Sequence, residues 1–262
     1  MGFDPELAEM RFGAGQGVAF IGNFREPPMQ GVDLSQYSTR VAPPKEAIEG
    51  QWARLEPLSA DAHAALLFRA FEGHDAVWDW LPYGPFHSAS QYHRWVRDVS
   101  EKEDPAYYAI YDKETGRWGG VASYLRIDRA NGSIEVGHIN LSPGLQRTRA
   151  ASEALMLMIT WAMEQGYRRF EWKCNALNIP SRRAAERLGF SYEGVFRNHL
   201  IVKGKNRDTA WFAITDGDWP ALKEAYAAWL SPANFDAGGQ QRERLGDLTR
   251  LVRVSSDPAL IG

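Results

Sequence analysis

The sequence contains very little cysteine and no long apolar run. One of its 262 residues is a cysteine, Cys174, so an internal disulfide and a multi-thiolate metal cluster are excluded. The six histidines are scattered without the spacing of a metal-binding pair, and no metal is expected. Because the chain also lacks a basic, apolar leader and an apolar run of about 18 residues, we expect a soluble cytoplasmic protein that does not enter a membrane.

The charge balance also lacks any strong excess. With a net charge of −3, 44% hydrophobic residues and 24% charged residues, the chain is predicted to be globular, and no nucleic-acid partner is expected. Residues 13–17 form a short glycine cluster without the Gly-Lys-Ser/Thr ending of a Walker loop, which favours an ordinary loop. We expect three parts: an N-terminal extension (1–50), the main domain (51–230) and a polar tail (231–262).

Within residues 51–230, alternation and turn signals predict the element order β-α-α-β-β-β-α-β-α-β-β. Asn131-Gly132 is a strong hairpin signal, and Gly166 is suited to end the long apolar helix that begins near Ala150. Antiparallel strands therefore come first and a β-α-β unit follows, which predicts an α/β fold with a mixed sheet. In such a sheet a ligand binds where two strands part and a helix N-terminus points into the gap.

Four short segments resemble one known family. They are Gln146-x-x-Arg149-x-Ala151, the "SEA" at 152–154, Asn178-x-x-Ser181 followed by Ala185-Glu-Arg-Leu-Gly-Phe190, and "NRDTAWFAI" at 206–214. Together they resemble the core of the GNAT acyl-CoA N-acyltransferases, in particular the branch of ribosomal-protein N-terminal alanine acetyltransferases. The resemblance extends over about Trp52 to Leu230.

The resemblance implies a GNAT fold, with a largely antiparallel sheet and one splayed parallel pair between residues 134–141 and 168–174. It also implies acetyl-CoA as cosubstrate, without a metal, and direct attack of a primary amine in a ternary complex. The acceptor would be a protein N-terminus or a small-molecule amine. The alternative is a non-catalytic CoA-binding or regulatory module on the same fold. The oligomeric state stays open, a homodimer included.

In this family the pantetheine arm of CoA lies in the opening between the splayed strands, and the pyrophosphate lies on the turn before the following helix. Residues predicted to bind the cofactor by this resemblance are Asn140, Leu141, Ser142, Gln146, Arg147, Thr148, Arg149, Ala150, Ala151 and Asn178. For Asn178, capping of the next helix is an alternative role, and the two are compatible.

The turn at 146–149 lacks the glycines of the family, and three interpretations follow. Thr148 can be the N-cap and Arg149 the first helical residue, with ordinary backbone angles and an arginine bonded to phosphate. The arginines can instead be solvated, leaving the phosphates to the backbone amides. In the third interpretation CoA binding is lost and the fold serves another purpose.

The catalytic candidates are Glu135, His138 and Ser181. Strict alternation along residues 134–141 places His138 on the face of Ile134 and opposite Glu135. Either Glu135 or His138 is a candidate base; the alternatives are a glutamate paired with an arginine such as Arg126 and a satisfied buried histidine.

Ser181 resembles the serine of the family that bonds the CoA sulfur or pantetheine, and a helix-capping role is its alternative. A backbone amide near residues 140–142 is the expected oxyanion donor. A lone strand cysteine such as Cys174 is more typical of a core than of an acyl-enzyme. Trp80 and Tyr83 are predicted to bind the acceptor, although clustered aromatic residues also form satellite cores.

Overall fold

The computed structural model describes residues 32–260, so the glycine cluster at 13–17 lies outside the described residues. The chain divides into two compact units, Met1–Tyr37 and Ser38–Gly262. All helices and strands below belong to the second unit. Residues 38–50 and the chain beyond residue 230 are therefore parts of the same unit as the sheet.

Eight strands form a single sheet in the order β1-β2-β3-β4-β5-β6-β8-β7. The strands are β1 (Ile48–Glu49), β2 (Ala53–Pro57), β3 (Ala106–Asp112), β4 (Arg117–Asp128), β5 (Ser133–Leu141), β6 (Arg169–Asn175), β7 (Ser191–Val202) and β8 (Lys205–Thr215). Within the described chain β5 and β6 are the one parallel pair. This confirms the predicted mixed sheet, to which β1 adds a short edge strand.

Helices cover both faces of the sheet. They are α1 (Ala65–Phe71), α2 (Ala89–Ser100), α3 (Arg149–Glu164), α4 (Ile179–Arg187), α5 (Trp219–Leu230) and α6 (Leu245–Thr249). No helix within residues 32–260 has the length and apolarity needed to cross a membrane. From β2 to β8 the elements follow the predicted order.

Two apolar cores result, one on each face. The larger core lies under α3 and includes Ile134, Val136 and Phe170. The smaller core lies under α1 and α2 and includes Trp78 and Tyr92. Full burial of an aliphatic or aromatic side chain contributes roughly 1.5–3 kcal/mol relative to exposure, so both cores hold the central strands in place.

A buried carboxylate joins the first full strand to α3. Glu153 is 3% exposed, and its oxygens accept hydrogen bonds from the amides of Gln51 (2.8 Å), Trp52 (2.6 Å) and Ala53 (2.6 Å). Three amide donors satisfy a buried carboxylate that would otherwise be costly. Gly50, directly after β1, has no room for a side chain, because a Cβ there would lie 2.6 Å from the Glu153 carboxylate.

The C-terminal segment is held against α4. Asp257 is fully buried and forms a bidentate pair with Arg182 of α4, with two contacts of 2.5 Å. The same guanidinium donates to the carbonyl of Ala176. The segment therefore anchors the helix whose first residues border the site described next.

Candidate active site

β5 and β6 part at the centre of the sheet. Their register runs from Ser133 opposite Arg169 to Val136 opposite Trp172, and no pairing follows. A cavity of about 290 Å³ lies where the two strands diverge. The predicted splayed parallel pair is thus present, with an opening beside it.

The cavity is lined by four groups of residues. They come from the loop after α1 (Val77, Trp80, Leu81, Pro82), from β4 and β5 (Leu125, Arg126 and residues 135–139), from β6 and α4 (residues 172–175, Asn178, Ser181), and from the β7–β8 hairpin (His199, Leu200, Val202, Arg207, Thr209). The Lys203 ammonium at the hairpin tip donates to the carbonyl of Trp78, 2.9 Å away. Hairpin and loop therefore meet over the cavity.

Glu135 lies at the centre of an ion-pair network. Its Oε2 is 2.7 Å from Arg126 Nη1 and 2.9 Å from Lys173 Nζ, which confirms the predicted pairing with Arg126. Burial raises the pKa of Glu135, and the positive charges of Lys173 and Arg126 oppose that rise. Burial is the larger effect, so Glu135 accepts a proton more readily than an exposed glutamate does, although two cations hold its carboxylate.

The structure places His138 on the opposite face from the one that strict alternation predicts. Between β4 and β5 the register shifts, so that Ser123 faces Gly137 and Val121 faces Asn140. The extra residue is a β-bulge, and His138 in it has φ of 50°. Its ring packs against Tyr83 and Tyr107, on the side of α1 and α2. His138 and Glu135 therefore share a face, and the predicted separation was wrong.

His138 is a neutral base within this environment. Burial lowers its pKa to about 4, and the positive charges of Arg126, Arg207 and Lys102 act in the same direction. Its Nδ1 lies 3.1 Å from the Tyr83 hydroxyl. Near neutral pH the imidazole is therefore uncharged and has a free lone pair on one nitrogen.

The loop after α1 carries the aromatic residues that were predicted either to bind the acceptor or to form a satellite core, and they lie both in the smaller core and at the cavity. Trp78 is buried in the smaller core, with Tyr83 and Phe86 packed against it. Trp80 is 43% exposed and lines the cavity. Tyr83 reaches the site through its hydroxyl on His138, so the loop is both a satellite core and a wall of the cavity.

The first turn of α4 also borders the cavity. The side chain of Asn178 caps the helix by accepting from the Ser181 amide at 3.1 Å, which confirms the capping role. Ser181 is not the cap; its hydroxyl accepts from Trp172 Nε1 at 3.0 Å. Cys174 is 6% exposed and belongs to the larger core, as expected for a structural cysteine, although it also lines the cavity.

The turn before α3 has the predicted cap but not the predicted backbone. Thr148 is the N-cap and its hydroxyl accepts from the Ala151 amide at 3.0 Å. Arg147, however, has φ of 63°, the left-handed region that glycine adopts without steric cost. The expectation of ordinary angles throughout the turn was therefore wrong at this one residue.

The two arginines of this turn have different environments. The Arg149 guanidinium is 2.8 Å from Glu114 and lies over the rings of Trp52 and Phe235. Arg147 is exposed, and no hydrogen bond or ion pair ties its side chain to residues 32–260. Arg149 is thus committed to packing within the protein, and Arg147 is available to a ligand.

Backbone donors at this turn match an anionic ligand. Among the described residues, the amides of Arg147, Arg149 and Ala150 have no hydrogen-bond acceptor, as expected before and within the first turn of a helix. The side chain of Gln146 donates to the carbonyl of Leu141 at 2.9 Å, which ties the turn to the end of β5. Unpaired amides at a helix N-terminus are a typical phosphate site, so the residues present fit CoA.

Donors near the end of β5 are fewer than the sequence predicts. The Ser142 amide donates to the carbonyl of Gly119 at 2.8 Å and is not free for an oxyanion. Asn140 is 4% exposed, and its Nδ2 has no acceptor within the described chain. An unsatisfied buried donor is uncommon in proteins, and this one lies on the strand that borders the opening.

Sequence patterns gave no indication of Lys173 or Arg207 as site residues. Lys173 alternates with buried residues of β6 and looks like an outward-facing strand lysine, yet its side chain is 7% exposed and bonded to Glu135 and Glu171. Arg207 lies in a segment already used for the family resemblance, but no feature of that segment distinguishes it. Only the pairing of β6, β8 and β7 brings both side chains to the cavity.

Comparison with known proteins decides the family. The sequence profile of the acetyltransferase (GNAT) domain matches residues 53–191, just over half of the chain. The protein belongs to the GNAT acetyltransferase family. It is an N-acetyltransferase by the names and folds of the relatives it matches.

Two solved GNAT structures are similar over most of the chain. A GCN5-related N-acetyltransferase from Brucella melitensis is 44% identical, with a TM-score of 0.79 over 82% of this chain and 99% of that chain. A GNAT-family acetyltransferase from Chromobacterium violaceum is 41% identical, with a TM-score of 0.69 over 74% of this chain and 100% of that one. Bacillus subtilis YdaF, provisionally named a ribosomal N-acetyltransferase, is 25% identical over 64% of this chain and 92% of its own length.

Proposed function

We propose that this GNAT protein transfers the acetyl group of acetyl-CoA to a primary amine by direct attack in a ternary complex. The observation that carries the proposal is the cavity at the divergence of β5 and β6, which His138, Asn178 and Ser181 all line. The acceptor is a protein N-terminus or a small-molecule amine. The name of YdaF supports the first of these.

The cofactor is assigned to the opening and to the turn before α3. The amides of Arg147, Arg149 and Ala150 are proposed to hold the pyrophosphate, and the free guanidinium of Arg147 adds a charge-assisted bond. Asn178 and Ser181 face the pantetheine end of the opening. Acetyl-CoA supplies the activated acyl group.

His138 is proposed to receive the proton of the attacking amine. In the tautomer in which Nδ1–H donates to the Tyr83 oxygen, Nε2 holds the lone pair and accepts the proton. Glu135 is proposed to act through its negative charge, because its carboxylate is held by Arg126 and Lys173. Asn140 and Leu141 remain as the proposed oxyanion donors.

A thermal-shift titration with acetyl-CoA tests cofactor binding. Ligand at 100 times its Kd adds about 2.7 kcal/mol of stability, which corresponds to roughly 5–10 °C for a domain of this size. Acetyl-pantetheine, which lacks the nucleotide, is the control and should shift the melting temperature less. The absence of any shift with acetyl-CoA would contradict the proposal.

Release of free thiol over a panel of amines and N-terminal peptides tests catalysis. His138→Asn should lower kcat by about 100-fold with little effect on the affinity for acetyl-CoA, as for loss of a general base. A thermal shift without thiol release from any acceptor would favour the non-catalytic CoA-binding alternative. A greater loss of kcat in Glu135→Gln than in His138→Asn would reassign the base to Glu135.

A further inference from the structure

Most charged side chains at the cavity belong to one network of ion pairs. An ion-pair network runs from Arg126 through Glu135 and Lys173 to the strand surface beyond. It contains three cations and three carboxylates: Arg126, Lys173, Arg169, Glu135, Glu171 and Glu193. The network is balanced in itself, so every carboxylate in it is already matched by a cation.

Arg207 is a further cation of the cavity wall and has no counterpart. It is the third residue of β8, pairs with Leu200 of β7 and lines the cavity. The side chain is partly buried, and its Nε is shielded from solvent without a hydrogen-bond acceptor in the described chain. No ion pair within residues 32–260 involves Arg207 either. Arginine is rarely buried in proteins without a partner.

The charges around Arg207 do not replace a direct ion pair with its guanidinium. Burial lowers the pKa of its guanidinium. Nearby Cys174 and Glu135 act against that change, and the positive charge of Arg126 adds to it. His138, within electrostatic reach of Arg207, is kept uncharged partly by that same guanidinium. An uncompensated cation thus lies close to the proposed base, in a cavity that the hairpin covers.

We propose that Arg207 binds an anionic group of the acceptor, so that the preferred substrate is an amine that carries a carboxylate within a few bonds. This rests on the proposed acetyl transfer and names its substrate class. The guanidinium offers two parallel N–H donors to a carboxylate, and bonding would also satisfy the shielded Nε.

The size of the cavity suits a compact acceptor. Its volume of about 290 Å³ is just below the roughly 300–1,000 Å³ that is typical of small-molecule sites, and the pantetheine end of the cofactor is assigned to the same opening. Two sources present this chemistry: a free amino acid, and a protein N-terminus with an acidic side chain among its first residues. The experiment separates them by the size of the acceptor.

The test compares acceptors in matched pairs at saturating acetyl-CoA. The first pair type is a free amino acid against its amide, and the second is a short peptide with Asp or Glu at position two against Asn or Gln. The carboxylate member should have the higher kcat/KM by about tenfold or more, the range of a charge-assisted hydrogen bond. Preference within the first pair type identifies a small-molecule acceptor, and preference within the second identifies a protein N-terminus.

Arg207→Gln should abolish the preference by lowering kcat/KM for the carboxylate member alone. Arg207→Lys should retain part of the preference, because the lysine ammonium keeps the positive charge but lacks the two parallel N–H donors of the guanidinium. Arg197→Gln is the matched control, an exposed arginine of the same hairpin that does not line the cavity. An equal loss for both members of a pair, or a weaker affinity for acetyl-CoA in Arg207→Gln, would overturn the assignment.

A binding measurement separates this inference from the proposed function. Calorimetric titration of the wild type with N-acetylated products, in the presence of CoA, should show about tenfold tighter binding of the carboxylate than of the amide, and Arg207→Gln should remove the difference. Selective binding without turnover of any acceptor would contradict the acetyl transfer and retain the anion site. Turnover without carboxylate preference would support the acetyl transfer and contradict the anion site. The absence of both turnover and selective binding would overturn the inference.

Discussion

The hydroxyl of Tyr83 lies 3.1 Å from Nδ1 of His138, and the two rings are stacked at 21° with their centroids 5.6 Å apart. This contact joins the aromatic loop after α1 to the bulge in β5. It fixes the orientation of an imidazole whose other nitrogen is proposed to face the reaction. It exists because the positive φ of His138 turns its side chain towards α1 and α2.

Stability should depend on pH through His138. Its pKa is about 4 in the folded protein and about 6.5 when unfolded, so the unfolded chain binds the proton more tightly. The stability that comes from burying His138 in its neutral form is fully present above pH 6.5 and is lost as the pH falls towards 4. Between pH 7 and 4.5 the free energy of unfolding of the wild type should therefore fall by about 2–3 kcal/mol more than that of His138→Gln. Urea denaturation at several pH values measures this.

The control for that experiment is His74→Gln, a change at an exposed histidine. Its stability should follow the wild-type pH dependence. Parallel curves for the wild type and His138→Gln would show that His138 keeps an ordinary pKa. The other buried histidine, His63, is present in every variant and cancels from the difference.

The two arginines of the turn before α3 should have separable roles. Arg149→Ala removes the pair with Glu114 and the contacts with two rings, which should lower stability by about 1–2 kcal/mol and change the affinity for CoA by less than about threefold. Arg147→Ala should leave stability nearly unchanged and weaken CoA by about three- to tenfold, more so at low salt. Denaturation and calorimetric titration give the two quantities.

Arg147→Gly is the matched variant for the backbone of that turn. Glycine adopts a φ near 63° without strain, so the amides keep their places and only the side chain is lost. Its affinity for CoA should equal that of Arg147→Ala. If Arg149→Ala weakened CoA more than Arg147→Ala did, the phosphate contact would belong to Arg149 instead.

Asp257→Asn should be strongly destabilising. The change leaves the buried guanidinium of Arg182 without its charge partner, and breaking a buried pair in this way typically costs about 3–5 kcal/mol. Urea denaturation provides the measurement. Asp247→Asn on α6, an exposed aspartate, should change stability by less than about 0.5 kcal/mol; similar effects of both substitutions would mean that the tail adds little to the fold.

Glu153→Gln should weaken the attachment of β2 to α3. A neutral amide replaces a carboxylate that accepts from three amides, and the expected loss is about 1.5–3 kcal/mol. Glu224→Gln, at an exposed position of α5, is the control in the same denaturation series. Equal stability of the two variants would show that the three amides are satisfied without the charge.

Local patterns in the sequence were sufficient for the elements and the turn chemistry. The cap at Thr148, the cap at Asn178 and the hairpin at Asn131-Gly132 depend on side chains close in the chain to the groups that they serve. The bulge at His138 has no such signature, because positive φ is uncommon for any residue other than glycine and most histidines do not adopt it. Periodicity alone therefore assigned His138 to the wrong face.

What the sequence by itself determined is the order of strands and helices, the splayed parallel pair implied by the family resemblance, and the helix start that borders it. Local spacing and side-chain chemistry are enough for these. Only the tertiary structure decided which distant charges meet: Lys173 on Glu135, Asp257 on Arg182, Arg149 on Glu114. These partners are distant in sequence, and the buried environment that favours the pairs of Lys173 and Asp257 exists only once the sheet and its helices are assembled.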